Sequence, residues 1–447
     1  MSLPYIPHTE EDRKEMLATI GVGSIDDLFR EIPDNLRLKG ELNIPSSLDE
    51  HHLLAKLASM GRQNKQMLND AVCFLGAGIY DRYVPATVNA IISRGEFLTA
   101  YTPYQPELSQ GYLQAIYEFQ SMVAELFGMD VANASMYDGA TAMAEAAILA
   151  HGANGRTKVV VSEAVHPHYR EVLGTYCWST SLTVESIPAP EGVTTDYSKV
   201  DSETACVIVQ YPNFFGTIED LALARDAARN AGAMFVVVAD PIACALLKPP
   251  GEYDADIVVG EGQPMGISMG FGGPLCGLFS CKESLVRRIP GRIVGRTTEA
   301  HGDKIGYVMT LRTREQDIRR EKATSNICTN EALMALCATV YMEALGKTGM
   351  QVIAKNSVQN TQYAIQKLTE AGAKLRFKGK VFDEFVLELP VDPTEVQTQL
   401  LHQKVLAGLP LGFYYPSLKN CLLVAVTETR TKDQIDDFAA KLKAVLS

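Results

Sequence analysis

Apolar and polar positions along this chain change period several times, and each change predicts a change of element. Over residues 8–33 a sparse apolar stripe is set among charged residues. "HTEEDRKEMLATIG" (8–21) predicts a helix ending at its glycine. "SIDDLFREIP" (24–33) predicts a second, with Ser24 as cap, Asp26 and Asp27 in the first turn and Pro33 as stop. From about residue 110 the pattern becomes helix and apolar run in alternation. The helices are "GYLQAIYEFQSMVAELFG" (111–128), the Ala-rich "ATAMAEAAILAHG" (140–152) and "IEDLALARDAARNAG" (218–232). The runs are "KVVVS" (158–162), "TVESI" (183–187), "ACVIVQYP" (205–212), "MFVVVAD" (234–240), "DIVVG" (256–260) and "CGLFS" (276–280). This alternation predicts an α/β domain with a large, mainly parallel sheet and helices on both faces. A long apolar helix, "NEALMALCATVYMEALG" (330–346), closes that stretch. Beyond it, "QNTQYAIQKLTEAG", "FDEFVLELP", "NCLLVAVTE" and "KDQIDDFAAKLKAVL" predict a compact α+β unit. The expected division is a helical arm over 1–60, the large α/β domain over 61–344 and a small C-terminal α+β domain over 345–447.

Composition narrows the class. The chain has 447 residues, 47% hydrophobic and 21% charged, the proportions of a globular protein. No apolar stretch is long enough to cross a bilayer, and "MSLPYIPHTEEDRKEML" carries no export-signal core, so a cytoplasmic protein is expected. A net charge of −12 argues against a general nucleic-acid surface. The nine cysteines show no paired or metal-like spacing. Cys73, Cys177, Cys206, Cys244, Cys328, Cys337 and Cys421 lie in or beside apolar runs and read as reduced packing thiols.

In an open α/β sheet, ligands bind outside the carboxyl ends of the strands, so the residues following each run carry the candidate chemistry. "YDGATAMAEA" places Asp138, Gly139 and Thr141 at a helix start, where free N–H groups can seat a phosphate. "EAVHPHYREVL" places His166 and His168 at a strand-to-helix turn, with no acid or Cys cluster to suggest zinc. Asp240 follows "MFVVVA" and precedes a proline. Each has a plain alternative: capping for Asp138 and Asp240, capping or a surface role for the histidines. Together their order suits pyridoxal phosphate (PLP): phosphate at the helix N-terminus, His over the ring, Asp on the pyridine nitrogen. The Schiff-base lysine that should follow about one strand later is missing. "GEGQPMG" (260–266) stands there, Lys248 comes too early and Lys282 too late.

Four stretches carry a resemblance: "YTPYQPELSQGYLQAIYEFQSMVAELFGMDVANASMYDGATAMAEA" (101–146), "GFGGPLCGLF" (270–279), "RIPGRIVG" (288–295) and "TREQDIRREKATSNICTNEAL" (313–333). In order, and over most of the chain, they resemble the glycine cleavage system P-protein, the PLP-dependent glycine decarboxylase. The chain is most similar to subunit 1 of the two-chain form, which corresponds to the N-terminal half of the single-chain form. The resemblance implies PLP-transferase fold type I, with PLP held covalently by the partner, subunit 2, and "GEGQPMGISMGFGGP" as the degenerate counterpart of the partner's lysine loop. It further implies an α2β2 heterotetramer, transfer of the aminomethyl group to the lipoylated H-protein, and functional links to T-protein and lipoamide dehydrogenase.

On that footing this chain lends residues to the partner's pocket. The first candidates are Tyr101, Thr102, Tyr104 and Gln105, hydrogen-bonding tips on a Pro-stiffened loop; the alternative is an interface loop without ligand contact. The second are Thr324, Ser325 and Asn326, placed to meet the partner's PLP phosphate or else to cap the "CTNEAL" helix. Arg312, Arg314, Arg319 and Arg320 form a charge cluster beside them. Without a lysine, Asp138, Thr141, His166 and Asp240 either preserve packing or line an empty vestigial cavity. The competing classes are a self-sufficient PLP enzyme using Lys248 or Lys282, and a noncatalytic binding protein on the same fold.

Overall fold

The computed structural model describes residues 7–270, 272–312 and 316–447. The chain divides after Gln66 into two compact units. In the first, Glu10–Ile20 (α1) is set by a capping box at Thr9, whose Oγ1 accepts from the Asp12 N–H, and it ends on Gly21 in the left-handed region (φ 83°). The second helix expected there is shorter than its sequence suggests. Only the 3₁₀ turn Asp26–Phe29 forms, although the Asp27 N–H does reach Ser24 Oγ at 3.3 Å. No described residue of 7–63 is buried, and Met16, Leu28, Phe29, Leu36 and Leu54 are exposed. These elements hold by local hydrogen bonds without a core of their own.

The second unit is built on a seven-stranded sheet. Its strands are Val131–Ala132 (β1), Lys158–Ser162 (β2), Thr183–Ile187 (β3), Thr204–Tyr211 (β4), Met234–Ala239 (β5), Ile257–Glu261 (β6) and Gly277–Cys281 (β7). The spatial order is β1-β7-β6-β5-β4-β2-β3. Strands β2 to β6 pair in parallel; β7 runs antiparallel to both β6 and β1. Burial on both faces explains the unbroken apolar runs. Along β4 and β5, Val207, Val209, Phe235 and Val237 enter one core; Cys206, Ile208, Val236 and Val238 enter the other. The first core is covered by Gln110–Phe127 (α2), Leu221–Ala231 (α5) and the start of Ala332–Glu370 (α6). The second is covered by Gly139–Asn154 (α3) and Pro167–Ser179 (α4), where Ala142, Ala146, Ala147 and Ala150 allow close approach.

Inside α6, Gly346 leaves helical geometry at φ 58° and divides the helix in two. The residues beyond it cover a four-stranded antiparallel sheet centred on Glu384–Glu388 and Cys421–Ala425. Its core joins Phe385, Leu387, Val424 and Phe438 with Phe74, so residues near 74 also belong to this layer. Several features escaped the sequence pattern, among them β1, two residues long, and the hairpin Ile293–Thr298/Ile305–Thr310, most of whose residues are not buried. After β7 the chain makes the 3₁₀ turn Glu283–Leu285. Seven of the nine cysteines are buried, as packing thiols should be, but Cys328 is exposed, a correction to its expected place.

Candidate active site

The carboxyl ends of β4, β5 and β6, the head of α3 and the turn after β2 meet around one small cavity. His166, Tyr169, Asp240, Glu261, Asp383 and Glu384 are among its lining residues. The space inside amounts to about 40 Å³, room for a few waters. Of the sequence-predicted residues, His166 and Asp240 line it, while Asp138 and Thr141 lie beside it at the helix head that Glu261 meets; each is already engaged.

Asp138 caps α3: its Oδ1 accepts from the Thr141 N–H at 2.8 Å, and Thr141 Oγ1 accepts from the Asp138 N–H at 3.3 Å. The next free donor of the helix head, the Gly139 N–H, goes to Glu261 Oε2 at 3.0 Å. The other Glu261 oxygen accepts from the N–H groups of Gln263 (2.9 Å) and Cys276 (3.0 Å). Burial pushes the Glu261 carboxyl up to about 7, against the pull of these N–H groups. Asp240 caps the one-turn helix Pro241–Cys244 through the Ala243 N–H at 2.7 Å; burial raises its pKa, and Arg82 opposes the rise.

His166 is locked in one tautomer. Its Nδ1 accepts from the His168 N–H at 3.1 Å, so Nε2 carries the proton and donates to Ala77 O at 2.8 Å. Burial holds its pKa down at about 4. Tyr169 stacks on the ring at 4.9 Å, and Phe214 meets it edge-on at 4.8 Å, so no clear ring face is offered to a ligand. A side chain at position 139 would strike the Tyr169 hydroxyl. His168, at the surface, pairs with Tyr414 OH at 3.1 Å.

The opposite wall is acidic. Glu384 accepts from the Ala77 N–H at 2.6 Å and from Tyr80 OH at 2.9 Å, and burial pushes its pKa up to about 7. Arg82, itself buried, pairs with Asp383 and with Glu428 at 2.6 Å. A PLP phosphate would therefore enter a space lined by carboxylates, find the Gly139 donor taken and meet an occupied ring slot. The residues present do not fit the cofactor.

No lysine lines this cavity among the described residues. Lys248 is exposed, with its ammonium 4.3 Å from the centre of the Tyr253 ring. Lys282 pairs with Asp256 (2.6 Å) and Asp254 (2.9 Å). Because β7 runs antiparallel to β6, its end puts Lys282 at the far end of the sheet. In the Gly-rich stretch, Gln263 is fully bonded: Oε1 accepts from the Tyr80 N–H, and Nε2 donates to Tyr80 O and Ile267 O. Among the described residues no group of three or more His, Cys, Asp or Glu could hold a metal ion. Nor is any helix long and apolar enough to cross a membrane.

The two loops predicted to act in trans have the opposite character. Tyr101 is 78% exposed and Tyr104 52% exposed, Gln105 is exposed and Thr102 half-buried. With Phe97, Leu108 and Tyr112 this loop borders a second, larger cavity of about 270 Å³. Thr324 and Asn326 are exposed. Ser325 is not a helix cap, because α6 starts at Ala332 with no side-chain cap. Ser325 Oγ instead accepts from the Ile327 N–H at 3.1 Å, and the hydroxyl bonds the buried Glu145 carboxyl, which burial pushes up to about 7.

Sequence reasoning missed the residue that joins these loops. Arg292, 4% exposed, donates to Thr102 Oγ1 at 3.1 Å, to Thr329 Oγ1 at 2.6 Å and to Tyr104 OH at 3.4 Å. Its guanidinium and that of Arg312 both lie over the Tyr104 ring, at 5.7 and 5.0 Å. Arg312 also meets Asp317 at 3.4 Å; Arg319 and Arg320 are exposed, and Arg314 lies outside the described residues. The signal for Arg292 was the "PGR" within "RIPGRIVG", which nothing in the local pattern connects with residue 102.

This sheet order, with ligand positions at the strand ends and a smaller domain alongside, defines fold type I, the architecture of the aminotransferase-like PLP enzymes. A glutamate decarboxylase of Lactobacillus brevis shares it, with a TM-score of 0.65 at 14% identity over 92% of this chain and 95% of that one. Within that class the chain belongs to the glycine cleavage system P-protein family, which it matches over residues 4–442. It is 51% identical to a probable glycine dehydrogenase (decarboxylating) subunit 1 of Geobacillus sp. (strain WCH70), over 98% of both chains. A crystal structure of glycine decarboxylase (P-protein) in inhibitor-bound form superposes with a TM-score of 0.89 at 43% identity, covering 99% of this chain and 100% of that one.

Proposed function

We propose that this chain is the subunit of a two-chain glycine decarboxylase that carries no cofactor lysine and completes the active site of its partner, subunit 2. The pair decarboxylates glycine and passes the aminomethyl group to the lipoyl arm of H-protein, with T-protein and lipoamide dehydrogenase completing the cycle. PLP, bound covalently by the partner, supplies the electron sink for loss of CO2. The part played by this chain is positioning. Tyr101, Thr102, Tyr104 and Gln105 present hydrogen-bonding tips to the partner's pocket, and Thr324, Ser325 and Asn326 face its phosphate. Arg292 holds the loops to each other, so that both are ordered before the partner docks.

One contrast carries this reading. The chain's own ligand positions are consumed by internal hydrogen bonds, whereas Tyr101, Tyr104, Gln105, Thr324 and Asn326 stand at the surface, with the buried Arg292 guanidinium behind Thr102 and Tyr104. The test is glycine-dependent exchange of labelled bicarbonate, with PLP and lipoylated H-protein, using this chain, subunit 2 and the mixture. Exchange only in the mixture supports the reading. Exchange by this chain alone refutes it.

A further inference from the structure

The geometry points to Glu261 as a resident anion: its carboxylate occupies the seat at the head of α3 that a cofactor phosphate would need, and so shuts this chain's own pocket. Three N–H donors from separate parts of the fold meet on this carboxylate. Gly139 opens α3, Gln263 begins the Gly-rich stretch after β6, and Cys276 precedes β7. Their convergence on one point is the arrangement that binds an oxyanion at a helix N-terminus. Here the anion is covalently part of the chain. Glu261 is 8% exposed, and among the described residues its three hydrogen-bond partners are all backbone N–H groups, with no cation paired to it. A buried carboxylate without a cation is costly, and burial accordingly drives its pKa upward. That cost is offset by what the carboxylate joins. Gly139 and Glu261 are 122 residues apart, and the same side chain fixes both ends of the 263–276 stretch.

The adjacent ring slot is closed by the same logic. Tyr169 lies on His166 and against Gly139, so a phosphate-bearing aromatic ligand would have to displace Glu261 and Tyr169 together. The neighbouring Asp138 carboxylate adds repulsion to any second anion. This inference concerns the chain itself and does not depend on the partner-completing role proposed above.

The test uses the full chain without partner, dialysed to equilibrium against labelled inorganic phosphate and, separately, PLP. The wild type is expected to retain neither in a saturable manner. Glu261→Ala frees three donors and is expected to retain phosphate roughly tenfold or more above wild type, since one hydrogen bond to a charged group is worth about 1.5–3 kcal/mol. If that variant folds poorly, refolding of variant and wild type in phosphate and in chloride at equal ionic strength reads the same seat: phosphate helps any fold somewhat, so a phosphate benefit larger in the variant than in the wild type supports the inference. Saturable retention of phosphate or PLP by the wild type overturns it. So does a variant that folds and ignores phosphate, or one that gains no more from phosphate on refolding than the wild type does. Failure of the exchange assay with subunit 2 would leave these outcomes unchanged, which separates the two claims.

Discussion

The strand-end cavity and the tyrosine loop both carry polar side chains at predicted ligand positions and use them in opposite ways. In the cavity, His166, Asp138, Asp240 and Glu261 each hold neighbouring backbone groups, and burial shifts the pKa values of His166, Asp240 and Glu261. On the loop, Tyr101 and Gln105 reach into solvent, while Thr102 and the half-exposed Tyr104 are held by Arg292. A residue at a ligand position is therefore not by itself a ligand-binding residue. What distinguishes the two regions is whether the polar atoms are still available once the chain has folded.

The largest effect that would break this contrast is expected at Arg292. Arg292→Ala removes donors to Thr102, Tyr104 and Thr329 and loosens both loops. In the reconstituted pair, exchange activity should fall by about 10²-fold, the scale of an ångström-sized misplacement. Arg292→Lys, with a charge but no fork, should recover only part of it. Unchanged activity in Arg292→Ala would remove the loops from the account.

A second expected effect lies inside the cavity and concerns stability. The folded pKa of His166, about 4, lies below its ordinary 6.5, so the folded state disfavours protonation. Its stabilising contribution is present above pH 6.5 and is lost as pH falls from 6.5 toward 4, by about 3 kcal/mol in all. Glu261, Glu384 and Glu145, raised from 4.5 to about 7, act in the reverse sense: their contribution is present below pH 4.5 and fades as pH rises through 7. Denaturant unfolding of wild type and His166→Gln across pH 4–7 isolates the histidine. The gap between the two should narrow as the medium is acidified, and a constant gap would contradict the assigned neutral tautomer.

Smaller still is the expected effect of Asp240→Asn. Asn caps a helix about as well as Asp, so stability should move by less than about 1 kcal/mol, and exchange in the assembled pair by no more than roughly twofold. A loss on the scale of Arg292→Ala would mean that this chain holds the cofactor. Lys248→Met and Lys282→Met are expected to leave exchange unchanged. The partly exposed ion pairs of Lys282 are worth about 0–1 kcal/mol of stability.

How much of this could be read from sequence follows the range of the interactions. The runs located β2 to β7 to within a residue or two, because strands buried on both faces, as most of these are, announce themselves as short continuous apolar runs. The capping roles of Asp138 and Asp240 are local, three residues from their partners, and stood as plain alternatives from the start. Glu261 and Arg292 were invisible for the opposite reason. Glu261 ends an apolar strand within "VVGEGQ" and looks like any polar strand terminus; its Gly139 partner is 122 residues away. Arg292 reaches Thr102 across 190 residues. Periodicity reports which face a residue takes, and says nothing of which distant donor or acceptor will meet it there. Ser325 shows the same limit: its proximity to a helix suggested a cap, while its partner is Glu145 on another helix.

The most direct measurement of the central claim is a structure of this chain assembled with subunit 2 and PLP. The account predicts cofactor density on the partner alone, with side chains of the Tyr101–Gln105 loop or Thr324–Asn326 within hydrogen-bonding distance of it, and Glu261 still bonded to Gly139. Cofactor density in this chain between His166 and Asp240, with Glu261 displaced, would contradict it.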